Sequence, residues 1–328
     1  MTAPTAEAAA SPRHRVRAFG LDIDASFAVP GVPATATAAG GPATRVDLVS
    51  EADVDRDWPA ADAERLLEER FEGDDEEPAR TIDAHPVAGY RLYARHFGLA
   101  RISPDGSRVV CAPPGAAGWD WQRFLVGRIL PWAAVLRGYE AFHASAVAVG
   151  GRAVAFVGHT GAGKTSLALR LVASGAEFLT DDVLAVDRSG GELRAHPGAA
   201  VASVRPAERA AIPDGAWDAL GTVLGESGKT YVELPTADGP RPLAALYFLR
   251  RGDGPAIERI AALDPRLLLA STFVLGVQTP ERLRNQLDVC AAIAAAVSAF
   301  DLRVAPGVDA GRLAESVLEH LTTLGVPA

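Results

Sequence analysis

The amino-acid sequence predicts an α/β fold in which a twisted, largely parallel or mixed sheet carries a phosphate-binding loop between flanking helices, with an N-terminal α+β portion packed onto it. Three observations carry this expectation. Residues 153–157 form a short apolar, partly β-branched run that leads into a glycine-rich loop and then into a leucine-and-alanine helix pattern. Residues 176–180 read as a second strand, reached after a helix stop at Gly175, which is the shortest route for a right-handed strand–helix–strand unit. Residues 243–249 are apolar and, with Arg250, read as a third, buried strand.

The loop is Gly158-His159-Thr160-Gly161-Ala162-Gly163-Lys164-Thr165-Ser166, the G-x-x-x-x-G-K-[ST] pattern with a serine after it. Its glycines let successive backbone N–H groups turn toward one anion. The helix that follows adds the positive end of its dipole, Lys164 supplies charge for the β- and γ-phosphates, and the Thr165 hydroxyl can ligate Mg²⁺. ATP and Mg²⁺ are the expected cofactors.

In chain order, the first 15 residues have neither the basic start nor the apolar stretch of a signal peptide and are expected to be a disordered tail. Residues 16–29 alternate enough for a strand, 30–42 read as a Gly/Pro/Ala loop, and 62–71 fit a short helix. The acidic run that follows repels itself too strongly to converge on a metal and reads as a solvated loop. Strand patterns appear at 90–93, 99–102 and 108–111, the last two joined by a Pro-Asp-Gly turn. From 119 to 136 the apolar residues fall on one helical stripe, with a kink expected at Pro131. Residues 142–149 and 152–157 read as strands paired about Gly150-Gly151, and 183–186 and 192–196 as a second hairpin. Residues 206–240 read as loop-rich, Thr279-Pro280-Glu281 opens a capped helix, and a last helix covers about 309–324. The division expected is a tail (1–15), an N-terminal α+β portion (16–138) and a catalytic portion (139–328).

Composition excludes several classes. A net charge of −9 disfavours a nucleic-acid partner, which needs a dense basic face. No run reaches the roughly 18 apolar residues of a membrane span. Cys111 and Cys290 lie far apart without metal or redox spacing and read as reduced thiols of a cytoplasmic protein. Lysine occurs only at Lys164 and Lys229, in a chain whose other basic side chains are arginines, which marks Lys229 as a candidate for catalysis. It lies in Gly225-Glu-Ser-Gly228-Lys229-Thr230, which imitates a second phosphate loop but has Val223 where the first glycine belongs. The expectation is a small-residue loop that closes over nucleotide and brings Lys229 to the transferring phosphoryl group; the plainer alternative is a solvated hairpin tip.

The strand after the loop helix ends at Asp181-Asp182, beside the expected γ-phosphate. One carboxylate there can hold Mg²⁺ and the other can accept a proton from an attacking hydroxyl, the division of labour that phosphoryl transfer needs. Phe142-His143-Ala-Ser-Ala, the loop Gly158 to Thr165, and Phe178-Leu-Thr-Asp181-Asp182-Val together resemble the C-terminal catalytic domain of HPr kinase/phosphorylase. That resemblance implies an HPr kinase/PEP carboxykinase-like fold, Thr165 and Asp181 near Mg²⁺, Asp182 as base and His143 as its neighbour. The family's glycine-containing signature linked to phosphorolysis is not found after Asp182, where His196-Pro-Gly and Ser203-Val-Arg205-Pro stand instead. HPr and phosphorylase activity are therefore not the expectation. The nearer likeness is to stand-alone HPr-kinase-like proteins, some of which phosphorylate precursor peptides in lasso-peptide-type pathways. The expected activity is transfer of the ATP γ-phosphate to a hydroxyl, serine first, of a peptide or small protein. A nucleotide-gated switch and a small-metabolite kinase are the alternatives, and a homo-oligomer is an open expectation for assembly.

Overall fold

The computed structural model describes residues 12–34, 43–71, 77–115, 118–253, 256–305 and 307–326. Within the first third of these, alternating side chains build an eight-stranded sheet. Its spatial order is His14–Ala18, Leu21–Ala25, Thr44–Leu48, Arg108–Ala112, Gly98–Ile102, Gly89–Ala94, Arg80–His85, Glu64–Glu69. Leu21–Ala25 alternates buried with half-buried residues, as a strand with one face on a core must. Two expectations fail here. Residues 16–29 are not one strand, because Phe19 and Gly20, at φ 55° and 82°, fold them into a tight hairpin, and His14 and Arg15 of the expected tail belong to its first strand. Residues 62–71 hold a strand where a helix was expected: Glu64–Glu69 is an edge strand whose pairing with Arg80–His85, across a register shift between Arg65 and Leu67, outweighs its helical composition. The acidic residues 72–76 lie outside the described residues.

The helical stripe at 119–136 is present but divided into Trp119–Phe124, a π-helical turn Leu125–Ile129, and Leu130–Leu136. The irregularity precedes Pro131 because its ring offers no N–H to, and crowds, the carbonyl four residues back. The Leu130 N–H reaches the Leu125 carbonyl instead, one residue further than in an α-helix.

The second sheet has nine strands, ordered Glu177–Thr180, Ala144–Val149, Arg152–Val157, Arg241–Arg251, Glu192–His196, Leu184–Ser189, Glu140–Phe142, with Ser298–Val304 and then Ala256–Arg259 on the other half of Arg241–Arg251. It is mixed and not largely parallel: the parallel pairs are Arg152–Val157 with Arg241–Arg251, and Arg241–Arg251 with Ser298–Val304. The strand after the loop helix does return parallel to Arg152–Val157, but Ala144–Val149 lies between them, antiparallel to both. Side chains of Arg152–Val157 alternate between two cores. Val154 and Phe156 meet helices Lys164–Ala173 and Ala310–Thr323, while Ala153, Ala155 and Val157 meet the core under Pro280–Ala296. Residues 206–240 are not plain loop, since helices Pro206–Ala211 and Asp214–Leu220 precede a hairpin, Thr222–Glu226 with Thr230–Glu233. With Val201–Val204 that hairpin forms a third sheet.

The eight-stranded sheet shares a hydrophobic core with the second sheet: Phe19, Ile23 and Val46 lie in one cluster with Ala141, Val183, Ala185 and Ala199. Phe19 N–H bonds the Pro197 carbonyl at 2.7 Å, and the Tyr139 hydroxyl bonds the Gly20 carbonyl at 2.8 Å. Both cysteines are free and buried, and burial pushes each thiol up to about 12. No helix among the described residues is long and apolar enough to cross a membrane.

Candidate functional site

The glycine-rich loop links the buried strand Arg152–Val157 to helix Lys164–Ala173, and its glycines are required by geometry. A Cβ on Gly158 would stand 3.0 Å from the Leu249 carbonyl, and Gly163, the residue before the helix, has φ 100°. His159 and Thr160 are exposed, with the His159 ring on the Thr160 carbonyl at 2.9 Å, and the Ala162 N–H closes a turn on the His159 carbonyl. Lys164 is buried: its ammonium donates to the Gly158 carbonyl at 2.8 Å and lies 3.1 Å from His143 Nε2. Burial lowers its pKa, Asp182 and Asp181 oppose this, and the charges of Arg205 and Lys229 add to it. A cation held among like charges in a concave site suits an anionic ligand.

The two aspartates differ in environment. Asp181 Oδ1 accepts from the Ser145 hydroxyl at 2.6 Å and the Thr165 hydroxyl at 2.9 Å, while Oδ2 accepts from the Ser203 N–H at 3.1 Å. Asp182 is the centre of a three-residue turn: the Val183 N–H bonds the Asp181 carbonyl at 2.9 Å and Asp182 has φ 70°, the strained γ-turn geometry. The Thr180 hydroxyl, bonded to the Val183 carbonyl at 2.6 Å, clamps that turn from below. Consecutive carboxylates thus serve different partners, Asp181 the helix and the Asp182 carboxylate, 53% exposed, the open cavity. Burial raises the Asp182 pKa, but its hydrogen bond to His143 and the charges of Arg128 and Lys229 outweigh this and lower it. The group is therefore an anion at neutral pH.

His143 occupies the break between strands Glu140–Phe142 and Ala144–Val149, which diverge to opposite parts of the sheet. Its N–H bonds the Ser271 carbonyl at 2.6 Å and its ring stacks on Phe273 at 6.3 Å. Nδ1 lies 3.1 Å from the Asp182 carbonyl and 3.2 Å from its carboxylate. Two acceptors at Nδ1 place the proton there, which leaves Nε2 to accept from Lys164.

A cavity of about 200 Å³ opens over these groups, lined by Thr160, Gly161, Gly163, Lys164, Thr165 and Ser166 from the loop, by His143, Asp181 and Asp182, and by Lys229 from the hairpin turn. Lys229 Nζ lies 3.3 Å from the Ser203 hydroxyl, so the turn reaches the site wall. Gly158, His159 and Ala162 shape the loop from behind. Three residues at the site, Ser203 and Arg205 on the cavity wall and Ser145 buried behind it, had no predicted role. Ser145 sits within the quoted histidine motif and orients Asp181; Ser203 does the same from 22 residues away; Arg205 faces Gly161, whose Cβ would meet its guanidinium at 3.3 Å. The Thr165 hydroxyl and Asp181 carboxylate form an oxygen-only pair that suits Mg²⁺, which takes one or two protein oxygens and completes its shell with phosphates and water.

No family model matches the chain, and no curated protein matches it. Among solved structures, the chain is similar to the HPr(Ser) kinase/phosphatase from Coxiella burnetii, at 12% identity and a TM-score of 0.31, over 57% of this chain and 99% of that one. At that score the likeness carries no argument about function.

Proposed function

We propose that the protein is an ATP- and Mg²⁺-dependent phosphotransferase acting on a hydroxyl, serine first, of a peptide or small protein. The observation that carries this reading is the convergence of Lys164, the Thr165–Asp181 pair and the His143–Asp182 pair on one cavity at the glycine loop. In this reading the loop N–H groups, Lys164 and Arg205 bind the ATP phosphates. Mg²⁺, held by Thr165 and Asp181, would neutralise phosphate charge. Asp182 takes the acceptor's hydroxyl proton as the oxygen bonds the γ-phosphorus, the bond from that phosphorus to the β–γ bridging oxygen breaks, and ADP leaves. His143 orients the Asp182 carboxylate, and Lys229 stands opposite to stabilise the charge on the transferring group.

The pair of aspartates separates this reading from a nucleotide-gated switch, which needs binding but no base. The test is Asp182→Asn in a screen of serine peptides with γ-labelled ATP. MgATP affinity is expected to stay near the parent while transfer falls on the order of 10²–10⁴-fold. Full transfer by Asp182→Asn would remove it as base, and a parent protein that binds MgATP yet labels no acceptor would favour the switch.

A further inference from the structure

From Asp182 a cleft runs away from the glycine loop, between the eight-stranded sheet and the helical stretch 119–136. It consists of two adjoining cavities, of about 380 and 370 Å³, that share Glu69, Arg80, Phe124 and Arg128. The first is closed by Asp182 and walled by Phe71 and Phe97, and the second is walled by Trp132 and Phe273. Arg128 stands at the junction. It projects from the π-helical turn Leu125–Ile129, the kind of irregularity that re-aims side chains at functional sites. Its guanidinium lies over the Phe273 ring at 4.7 Å, the same ring that backs His143. Among the described residues Arg128 makes no hydrogen bond and no contact ion pair, whereas Arg80 is paired with Glu69 and Arg123 with the Tyr231 hydroxyl. A planar, five-donor cation left unpaired between aromatic walls is built to take a carboxylate.

We propose that this cleft is the acceptor site, and that it takes an extended peptide whose hydroxyl residue is flanked by an aromatic or large aliphatic residue and an acidic residue. The hydroxyl meets Asp182, the apolar side chain lies between the phenylalanines, and the acid pairs with Arg128. The proposal rests on the phosphotransfer reading above. Each cavity alone has the volume of a small-molecule site, so the two in series suit a chain segment better than a compact polar metabolite. The preference for an acid also runs against the protein's net charge of −9, so it must come from a local cation.

The test uses the full-length protein and two fluorescein-labelled decapeptides that differ only by Asp or Lys next to a Phe-Ser pair, read by fluorescence anisotropy without nucleotide. The expected result is about tenfold tighter binding of the Asp peptide, a reversed preference in Arg128→Glu, and a retained one in Arg128→Lys. Equal binding of the two peptides by the parent, or an Asp preference that survives in Arg128→Glu, would overturn the proposal. Because no nucleotide is present, the outcome is separate from that of the kinase reading. An Arg128-dependent preference in a protein that never transfers phosphate keeps the cleft and rejects the kinase, while transfer without charge preference does the opposite.

Discussion

Asp181 and Asp182 are neighbours in sequence, yet one is oriented by Ser145, Thr165 and Ser203 and the other is half exposed beside His143. Sequence alone identified the pair and the loop, because a strand, a tight helix stop and a short return strand leave little freedom in where Asp181 lands. It gave no role to Ser145, Ser203 or Arg205, whose proximity depends on how a third sheet folds over the loop. Lys229 illustrates the boundary: scarcity of lysine singled it out, and only folding brings its ammonium to the Ser203 hydroxyl at the cavity wall. If it serves the transferring phosphoryl group, Lys229→Ala lowers turnover on the order of 10²-fold with near-parent MgATP affinity. Unchanged steady-state kinetics across ATP and acceptor concentrations would make it an ordinary surface residue.

At the scale of elements, His143 depends on the short strand Glu140–Phe142, which is held from behind. The Phe273 N–H bonds the Ala141 carbonyl at 2.8 Å, and Glu140, fully buried, pairs with Arg282 of helix Pro280–Ala296 at 2.8 Å. Among the described residues Glu140 Oε2 and Arg282 Nε have no hydrogen-bond partner, so the pair is incompletely satisfied. Burial raises the Glu140 carboxyl to about 7, against the opposing pull of Arg282. Its folded pKa lies above its unfolded one, so the native state binds more protons and stability falls as pH rises from about 4.5 to about 7. Melting temperatures across that range are expected to decline, and Glu140→Gln is expected to flatten the trend. Arg282→Ala strands the carboxylate and is expected to cost about 3–5 kcal/mol in denaturant unfolding, more at pH 8 than at pH 6. A cost below about 1 kcal/mol would show that the pair does not anchor the His143 strand.

At the scale of the whole molecule, the eight-stranded sheet and the sheet that carries the loop share one core, joined at the Phe19 hairpin. Phe19 is 2% exposed and lies against Gly198, two residues after the His196 strand end, so close that a Cβ on Gly198 would come 2.9 Å from its ring. One cooperative thermal transition is expected, and Phe19→Ala is expected to cost about 3–5 kcal/mol and leave it single. Two resolved transitions in calorimetry would show that the sheets melt independently. This level was the least legible in sequence. Periodicity found the strands around the loop and paired those joined by short turns, but it missed Thr44–Leu48, Arg80–His85, Val201–Val204 and Ser298–Val304 and gave few partners distant in sequence: the edge strand Glu64–Glu69 resembles a helix until Arg80–His85 pairs with it, and nothing local reveals that Ala144–Val149 inserts between the two parallel strands. Residues 206–240 looked like loop because their helices are short and their hairpin turns on Gly228, at φ 65°.

In the proposed function the cavity over the glycine loop is a MgATP site with Lys164 at its centre. Titration calorimetry of MgATP into the parent and Lys164→Ala tests it most directly. One site per chain is expected in the parent and at least about tenfold weaker binding in the variant, both proteins giving matching circular dichroism, since Lys164 serves the ligand. No heat of binding in the parent, or equal affinity in the two proteins, would contradict it.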